Sequence, residues 1–317
     1  RGLADRNGNL FFEVTRVLRG SRPKAFILEN VPALITLEGG QTMNVILKEL
    51  RGLGYKVSYK VLRSNPLVPQ KRRRVYIVGL RSDDDENDSD NRNGYNGPDG
   101  GVVEGKKHEK MGMTRNTNGD GGERAKEGGG MEGDGNMEDW HKMSLDFDWP
   151  VRLMLAEEGG PHFTDEGAGF PTVRQILESD VPDEYTLTDT QWNAVLARAR
   201  ASKGGLNRTL AKRLVALDGQ ARTVISSYHR SHEGQSQFVL TSEGVNASRE
   251  EAVALALSGV RPRFFTEREV ARLQGFPDCF DLTACHTPKR VYHQLGNAVC
   301  PPVVAEIAKR LVALAEL

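Results

Sequence analysis

Residues 82–139 set the first limit on how this chain can fold. The stretch is built from Gly, Asp, Asn and Glu, and Tyr95 is its single aromatic residue. It carries 16 acidic and 7 basic side chains. Such a segment cannot bury enough apolar surface to offset the entropy of ordering it, so it reads as a disordered insertion. Its glycine pairs follow no apolar strand and do not read as phosphate-binding loops. Any core must come from residues 1–81 and 140–317, enough chain for two domains or for one large core.

The first block alternates helical and strand patterns. Leu10, Phe11, Val14, Val17 and Leu18 form a helical stripe over Asn9 to Leu18. Ser21-Arg22-Pro23 ends it. Ala25-Phe26-Ile27-Leu28 is a short continuous apolar run, the pattern of a buried parallel strand, and Glu29-Asn30 closes it. A second helix is predicted from Gln41 to Leu53 through Met43, Val45, Ile46, Leu47 and Leu50, with Gly54 as its C-terminal cap. Strands follow at Lys56–Leu62 and Arg74–Leu80. Their connection is too short for a helical crossover, which makes them antiparallel. Helix, strand, helix, strand in this order points to an α/β sheet.

Beyond the insertion, Val173–Leu177 and Trp192–Ala199 read as helical, and Ala221–Ser227 and Gln237–Leu240 as strands. Thr266 and Glu269 form a capping box at the start of a helix ending at Leu273. A last amphipathic helix runs from Pro301 to Leu314. No apolar run reaches the roughly 18 residues of a membrane helix, and no internal repeat is present. The zero net charge hides an asymmetry: residues 82–139 sum to −9, which leaves +9 on the remainder. A basic globular part fits a polyanionic partner, although an ordinary soluble surface gives the same count. The three cysteines, Cys279, Cys285 and Cys300, form no closed disulfide framework and fit a reducing, intracellular compartment. Cys279, Cys285 and His286 lack a fourth ligand at zinc spacing, so no metal site is expected.

Three short motifs carry chemistry. Glu29 stands at the end of the apolar run, where open α/β sheets bind ligands. Burial there disfavours its charged form and suits a proton donor; equally, Glu29 could only cap the following turn. In Gln70-Lys71-Arg72-Arg73-Arg74, alternation puts Gln70, Arg72 and Arg74 on one face and Lys71 and Arg73 on the other. Guanidinium forks on one face suit phosphate and base-edge oxygens, whereas a basic turn on its own is more often simply solvated. In Gln294-Leu295-Gly296-Asn297-Ala298-Val299, Gly296 permits a close backbone approach and Asn297 offers a short two-way hydrogen-bonding group. An ordinary turn before a helix would look the same.

In order along the chain stand Glu-Asn-Val, Gln-x-Arg-x-Arg, Thr-x-Arg-Glu-x-x-Arg-Leu-Gln-Gly-Phe-Pro at 266–277, and Gly-Asn-Ala-Val. The set resembles the DNA (cytosine-5)-methyltransferase family over roughly residues 2–81 and 220–317. Gly2 to Phe12 resembles the stretch after that family's Pro-Cys loop. The resemblance implies an α/β, Rossmann-like catalytic domain that binds S-adenosylmethionine, incomplete here, with a smaller mixed target-recognition domain. Residues 1–81 and 261–317 would belong to the catalytic core and residues 140–260 to the recognition domain. It also implies a double-stranded DNA partner and methyl transfer to carbon 5 of a cytosine flipped out of the duplex. Glu29 would contact and protonate ring N3, and Arg74 would hold the cytosine carbonyl oxygen, with Arg72 supporting it and the catalytic loop. Asn30, Gln70 and Gly296 would position the site. Asn297 and Val299 would line the cofactor side. Thr223-Val224 resembles the family's Thr-Leu pair, so Arg222, Thr223, Tyr228, His229 and Arg230 become candidate DNA contacts.

The family's Phe-x-Gly-x-Gly loop and Pro-Cys nucleophile do not occur in these 317 residues. The remaining motifs keep their usual order, so circular permutation does not account for this. The expectation is an N-terminally truncated fragment, inactive alone. Thr172–Trp192 resembles bacterial modification-type members, while the acidic insertion is atypical and hints at a eukaryotic source, with a nuclear or organellar location. No obligate protein partner is indicated. Two rivals are a tRNA-methylating member, whose Cys-Phe-Thr signature is missing here, and a catalytically dead DNA-binding subunit, for which Glu29, Arg72 and Arg74 together would have little use.

Overall fold

The computed structural model describes residues 9–82, 144–150, 153–154, 170–230, 234–240, 248–284 and 287–316. The acidic insertion beyond Ser82 lies outside the described residues, as do Cys285 and His286. Among the described residues no helix is long and apolar enough to cross a membrane. Nor does any group of three or more His, Cys, Asp or Glu among them form a candidate metal site.

The first block is mixed α/β, as its pattern predicts. Helix α1 (Asn9–Ser21) leads to β1 (Ala25–Asn30), then α2 (Gln41–Gly52), β2 (Tyr55–Arg63), the two-residue β3 (Gln70–Lys71) and β4 (Arg73–Arg81). Three of the strands form a sheet in the order β1-β4-β2. The β2–β4 pair is antiparallel, as its short connection requires. β1 departs from its expected character. It pairs antiparallel with β4, from Ala25 opposite Leu80 to Asn30 opposite Val75, and only Phe26 in it is fully buried. The reason is topological. β1 and β2 run in the same direction with α2 as the crossover, but β4 docks between them, so the backbone bonds of β1 go to β4.

Both faces of this sheet are covered. On one side Leu18 of α1 and Met43, Ile46, Leu47 and Leu50 of α2 pack against Phe26, Tyr55, Val57, Val75 and Ile77. The buried stripe of α1 is narrower than its apolar pattern. Phe11, Val14 and Leu18 turn inward, while Leu10 and Val17 are 65% and 52% exposed, because they lie about 100° round the helix from the inner row. Gly54, at φ +83°, closes the end of α2 in the left-handed conformation expected of it. The other face is covered by α8 (Pro301–Leu314) through Val303, Ile307 and Leu311, together with Phe147, Trp149 and Leu153. Their spacing of four gives the single stripe that seats a terminal helix on a sheet.

A separate apolar cluster runs from Val173 to Leu295. It gathers α3 (Asp189–Ala201), α4 (Gly205–Arg213), α5 (Arg249–Leu257), α6 (Glu267–Leu273) and α7 (Pro288–Asn297). The helical reading of Val173–Leu177 holds as a 3₁₀ turn, Val173–Ile176. The strand expected over Ala221–Ser227 shortens to β5 (Ala221–Arg222), which pairs in parallel with β3. Gln237–Leu240 makes only single bridges, Phe238 to Leu214 and Val239 to Arg263. The first is held by a two-residue ladder and the second by single bridges, so neither extends into a longer strand. The capping box at Thr266 and Glu269 is present. Glu269 is fully buried and also takes both arms of Arg263, each at 2.8 Å. It therefore starts α6 and neutralises a buried cation at once.

Candidate active site

The site begins where β1 ends. Glu29 is opposite Tyr76 in the ladder. Its carboxylate is 15% exposed, with Arg74 Nε 3.0 Å and Arg72 Nη2 4.0 Å from Oε1. Burial raises the Glu29 pKa above the ordinary carboxylate value, and the charges of Arg74 and Arg72 only partly pull it back. The carboxyl is thus biased toward the protonated form without losing its cationic neighbours. Asn30 is exposed, and its Oδ1 accepts from the Val31 amide at 2.8 Å. That bond shapes the turn leaving the strand.

Arg72 joins two motifs that lie far apart in sequence. Its guanidinium is 2% exposed. It donates to Gly296 O at 3.3 and 3.4 Å and to Ala298 O at 2.5 Å. Burial first, and then Arg74, lower its pKa to about 10, which still leaves it charged at neutral pH. Alternation works as predicted: Gln70 and Arg72 are buried and Arg74 half-buried, while Lys71 and Arg73 are exposed. Gln70 is wholly buried, and neither Nε2 nor Oε1 of its amide has a hydrogen-bond partner. Its backbone oxygen accepts from Ser64 Oγ at 2.6 Å.

The Gly-Asn-Ala-Val motif forms the last turn of α7 and the start of the following link. Gly296 is a close-approach glycine, as its motif predicts. A Cβ there would lie 2.3 Å from Ser226 N and 2.5 Å from Ile225 C. Asn297 is exposed and Val299 is 38% exposed. They present an amide and an apolar edge on the rim that Arg72 ties to β1 and β4. Cys300, next in the chain, does not reach this exposed rim. It is buried, its Sγ donates to Gln274 O at 3.3 Å, and burial pushes its thiol up to about 11. A thiol held protonated in this way is a poor nucleophile.

Among the candidate DNA contacts, Arg222, His229 and Arg230 are exposed, and Thr223 is half-buried with Oγ1 donating to Lys71 O at 2.9 Å. Tyr228 does not fit that role. It is 1% exposed, its hydroxyl donates to Gln237 O at 2.6 Å, and it accepts from Phe265 N at 3.0 Å. It is a core residue that fastens the loop after β5 to the start of α6, because a tyrosine can bury its ring only if its hydroxyl finds partners. The imidazole of His229 stacks on Tyr292 at 5.6 Å and 13°. Ser226, the wall against Gly296, carries no sequence signal, since a residue met through its backbone leaves no side-chain pattern.

A profile of the C-5 cytosine-specific DNA methylases matches residues 1–313. The chain belongs to that family. It is 49% identical over 314 residues to the type II methyltransferase M.HaeII of Haemophilus aegyptius, covering 98% of this chain and 68% of that protein. It is 26% identical over 314 residues to M.NlaX of Neisseria lactamica, covering 99% of this chain and 70% of that one. The chain thus spans about two thirds of the length of these relatives, and 58% of M1.ScrFI of Lactococcus lactis. In fold it is similar to the S. pombe Dnmt2 methyltransferase, with a TM-score of 0.56 at 18% identity over 97% of this chain and 71% of that one. Three of the ordered motifs meet in the structure: Glu29 lies against Arg72 and Arg74, and Arg72 donates to Gly296.

Proposed function

We propose that this member of the C-5 cytosine methylase family supplies the base-activating half of a DNA (cytosine-5)-methyltransferase. The observation that carries this reading is the Glu29–Arg74–Arg72 cluster: a carboxyl shifted toward its protonated form, 3.0 Å from Arg74, beside a motif latched by Arg72. A flipped cytosine offers a ring N3 and a carbonyl oxygen side by side. Glu29 would give its proton to N3 while Arg74 donates to the oxygen. Electron density then leaves carbon 6, which a thiolate can attack, and carbon 5 becomes the nucleophile. Arg72 acts as a positioning residue through Gly296 and Ala298. Residues 1–81 and 261–317 read as catalytic core in this scheme and residues 140–260 as the DNA-recognition part.

S-adenosylmethionine, when bound, supplies the methyl group. The exposed Asn297 amide and the Val299 side chain fit such a ligand, one toward its amino-acid end and the other toward its apolar body. We assign the thiolate to none of the three cysteines of this chain. Cys300 is buried and protonated, and no proline precedes Cys279, Cys285 or Cys300. We therefore place the nucleophile and the glycine-rich cofactor loop outside these 317 residues and expect this chain to be inactive by itself. The test is Glu29→Gln in the protein carrying the Pro-Cys segment, with labelled methyl transfer to duplex DNA as the readout. A fall of about 10²–10⁴-fold with duplex binding kept is expected. Near-normal turnover overturns the reading.

A further inference from the structure

The helical pair α3–α4 carries charge that the active-site geometry does not use. Between Thr190 and Leu217 the sequence has six basic residues and no Asp or Glu. Five of the six, Arg198, Arg200, Lys203, Arg208 and Lys212, are exposed. The two acids that flank the stretch are engaged elsewhere: Asp189 pairs with Arg261, and Asp218 pairs with Arg174 at 2.7 Å. Arg198, Arg200, Lys203, Arg208 and Lys212 form no ion pair among the described residues, while the neighbouring α5 opens with Arg249, Glu250 and Glu251.

These cations are not scattered. Three arginines from three different elements line the short segment Gly234–Gln237. The Arg198 guanidinium of α3 lies 4.0 Å from the Cβ position of Gly234. Arg213 of α4 donates to Ser236 O at 2.5 Å. The backbone of Arg222 in β5 is clasped by Gln237, accepting and donating at 3.0 and 2.7 Å. Arg222 is in turn the ladder partner of Lys71, one residue from Arg72. A basic strip therefore runs from the rim of the Glu29 cluster through Lys71, Arg222 and Arg198 to the outer row of α4. In that row Arg208 and Lys212 stand one helical turn apart on the same face. The arginines sense one another: Arg213 is pushed down to about 10, first by burial and then by Arg222, with Arg198 a further contribution.

We propose that the α3–α4 hairpin is a second contact for the phosphate backbone, gripping the duplex beyond the base that reaches Glu29. A row of exposed cations, without aromatic platforms among them, suits phosphates rather than stacked single-stranded bases. Its continuity with Lys71 and Arg222 ties it to the same nucleic acid, so the proposal rests on the DNA reading given above. Backbone contacts of this kind position a duplex and add salt-sensitive affinity without reading sequence.

The experiment uses the 317-residue protein and a fluorescently labelled duplex of arbitrary sequence, with anisotropy read across a salt series. Arg208→Gln/Lys212→Gln is compared with Arg19→Gln/Lys48→Gln, which removes the same charge from exposed sites on α1 and α2. Arg200→Gln/Lys203→Gln is then added to the first pair. Each lost phosphate contact should lower the slope of log K against log salt by about 0.9. The hairpin double variant is expected to lose nearly two units, the fourfold variant roughly three to four, and the α1–α2 control almost none. Equal loss in control and hairpin variants would reduce the effect to net charge and overturn the proposal, as would an unchanged slope. A folded RNA bound with this hairpin dependence, and no duplex bound, would overturn the assignment to DNA. The slope is read without chemistry, so the proposal and the catalytic reading fail separately. A hairpin-dependent slope with no methyl transfer by the Pro-Cys-bearing protein sinks only the latter. Methyl transfer with a hairpin-independent slope sinks only the former.

Discussion

Replacing Gly296 with alanine tests whether the Gly-Asn-Ala-Val motif is a packing joint as well as part of the site. The added Cβ would sit 2.3 Å from Ser226 N, 2.4 Å from Ser226 Cα and 2.5 Å from Ile225 C. All three are backbone atoms, so no side chain can rotate away, and α7 must move off the segment after β5. That movement also pulls the Gly296 and Ala298 carbonyls from Arg72. Overpacking a fitted interior costs about 1–3 kcal/mol, and a clash with immobile backbone belongs at the upper end. At 2–4 °C per kcal/mol for a chain of this size, the midpoint should fall by roughly 6–12 °C. The control is Gly20→Ala in α1, where nothing lies within 4 Å of the new Cβ. Removing a helical glycine there should stabilise by about 0.5–1 kcal/mol. Thermal melts followed by circular dichroism read both. A Gly296→Ala midpoint within 2 °C of the parent's, on the same estimate, would refute the packing argument.

Other expectations follow from the same geometry. Arg263→Ala leaves the buried Glu269 without its bidentate partner and should cost about 3–5 kcal/mol in urea unfolding; a loss under about 1 kcal/mol would show that the pair is not held as described. The Gln70 amide has neither polar atom partnered, so Gln70→Met should be neutral or stabilising, and a clear destabilisation would reveal a partner. Because the folded-state pKa of Glu29 lies above its unfolded value, the folded state binds this proton more tightly. Stability from this group is therefore full below the unfolded pKa and falls as pH rises through the folded one. Glu29→Gln should flatten that decline in pH-dependent denaturation, and a parallel decline in both proteins would contradict the shift.

Some of this was legible from residue patterns and some was not. Apolar periodicity located α1, α2 and α8, because each buries one stripe on one neighbour. Ser248 with Glu251, and Thr287 before Pro288, are caps that mark α5 and α7, yet α5 has hardly any one-sided apolar stripe and α7 offers only Val291, Tyr292 and Leu295 in an otherwise polar run. The partner of β1 could not be read locally, since a continuous apolar run says nothing about which strand lies alongside. Alternation correctly separated Arg72 and Arg74 from Lys71 and Arg73, but the tie from Arg72 to Gly296 spans 224 positions and exists only in three dimensions. Tyr228 shows the limit of reading function from neighbours in sequence. It stands beside exposed His229 and Arg230, but its ring turns into the core.

The central proposal is that Glu29 and Arg74 activate a cytosine for attack by a thiolate that none of the three cysteines present supplies. Duplex DNA containing 5-fluorocytosine traps that thiolate as a covalent adduct, visible on a denaturing gel. With S-adenosylmethionine present, the 317-residue protein should give no covalent band. The protein extended to include a Pro-Cys segment should give one, which disappears when that cysteine is replaced by serine. A band from the 317-residue protein alone, mapping to Cys279, Cys285 or Cys300, would contradict the account.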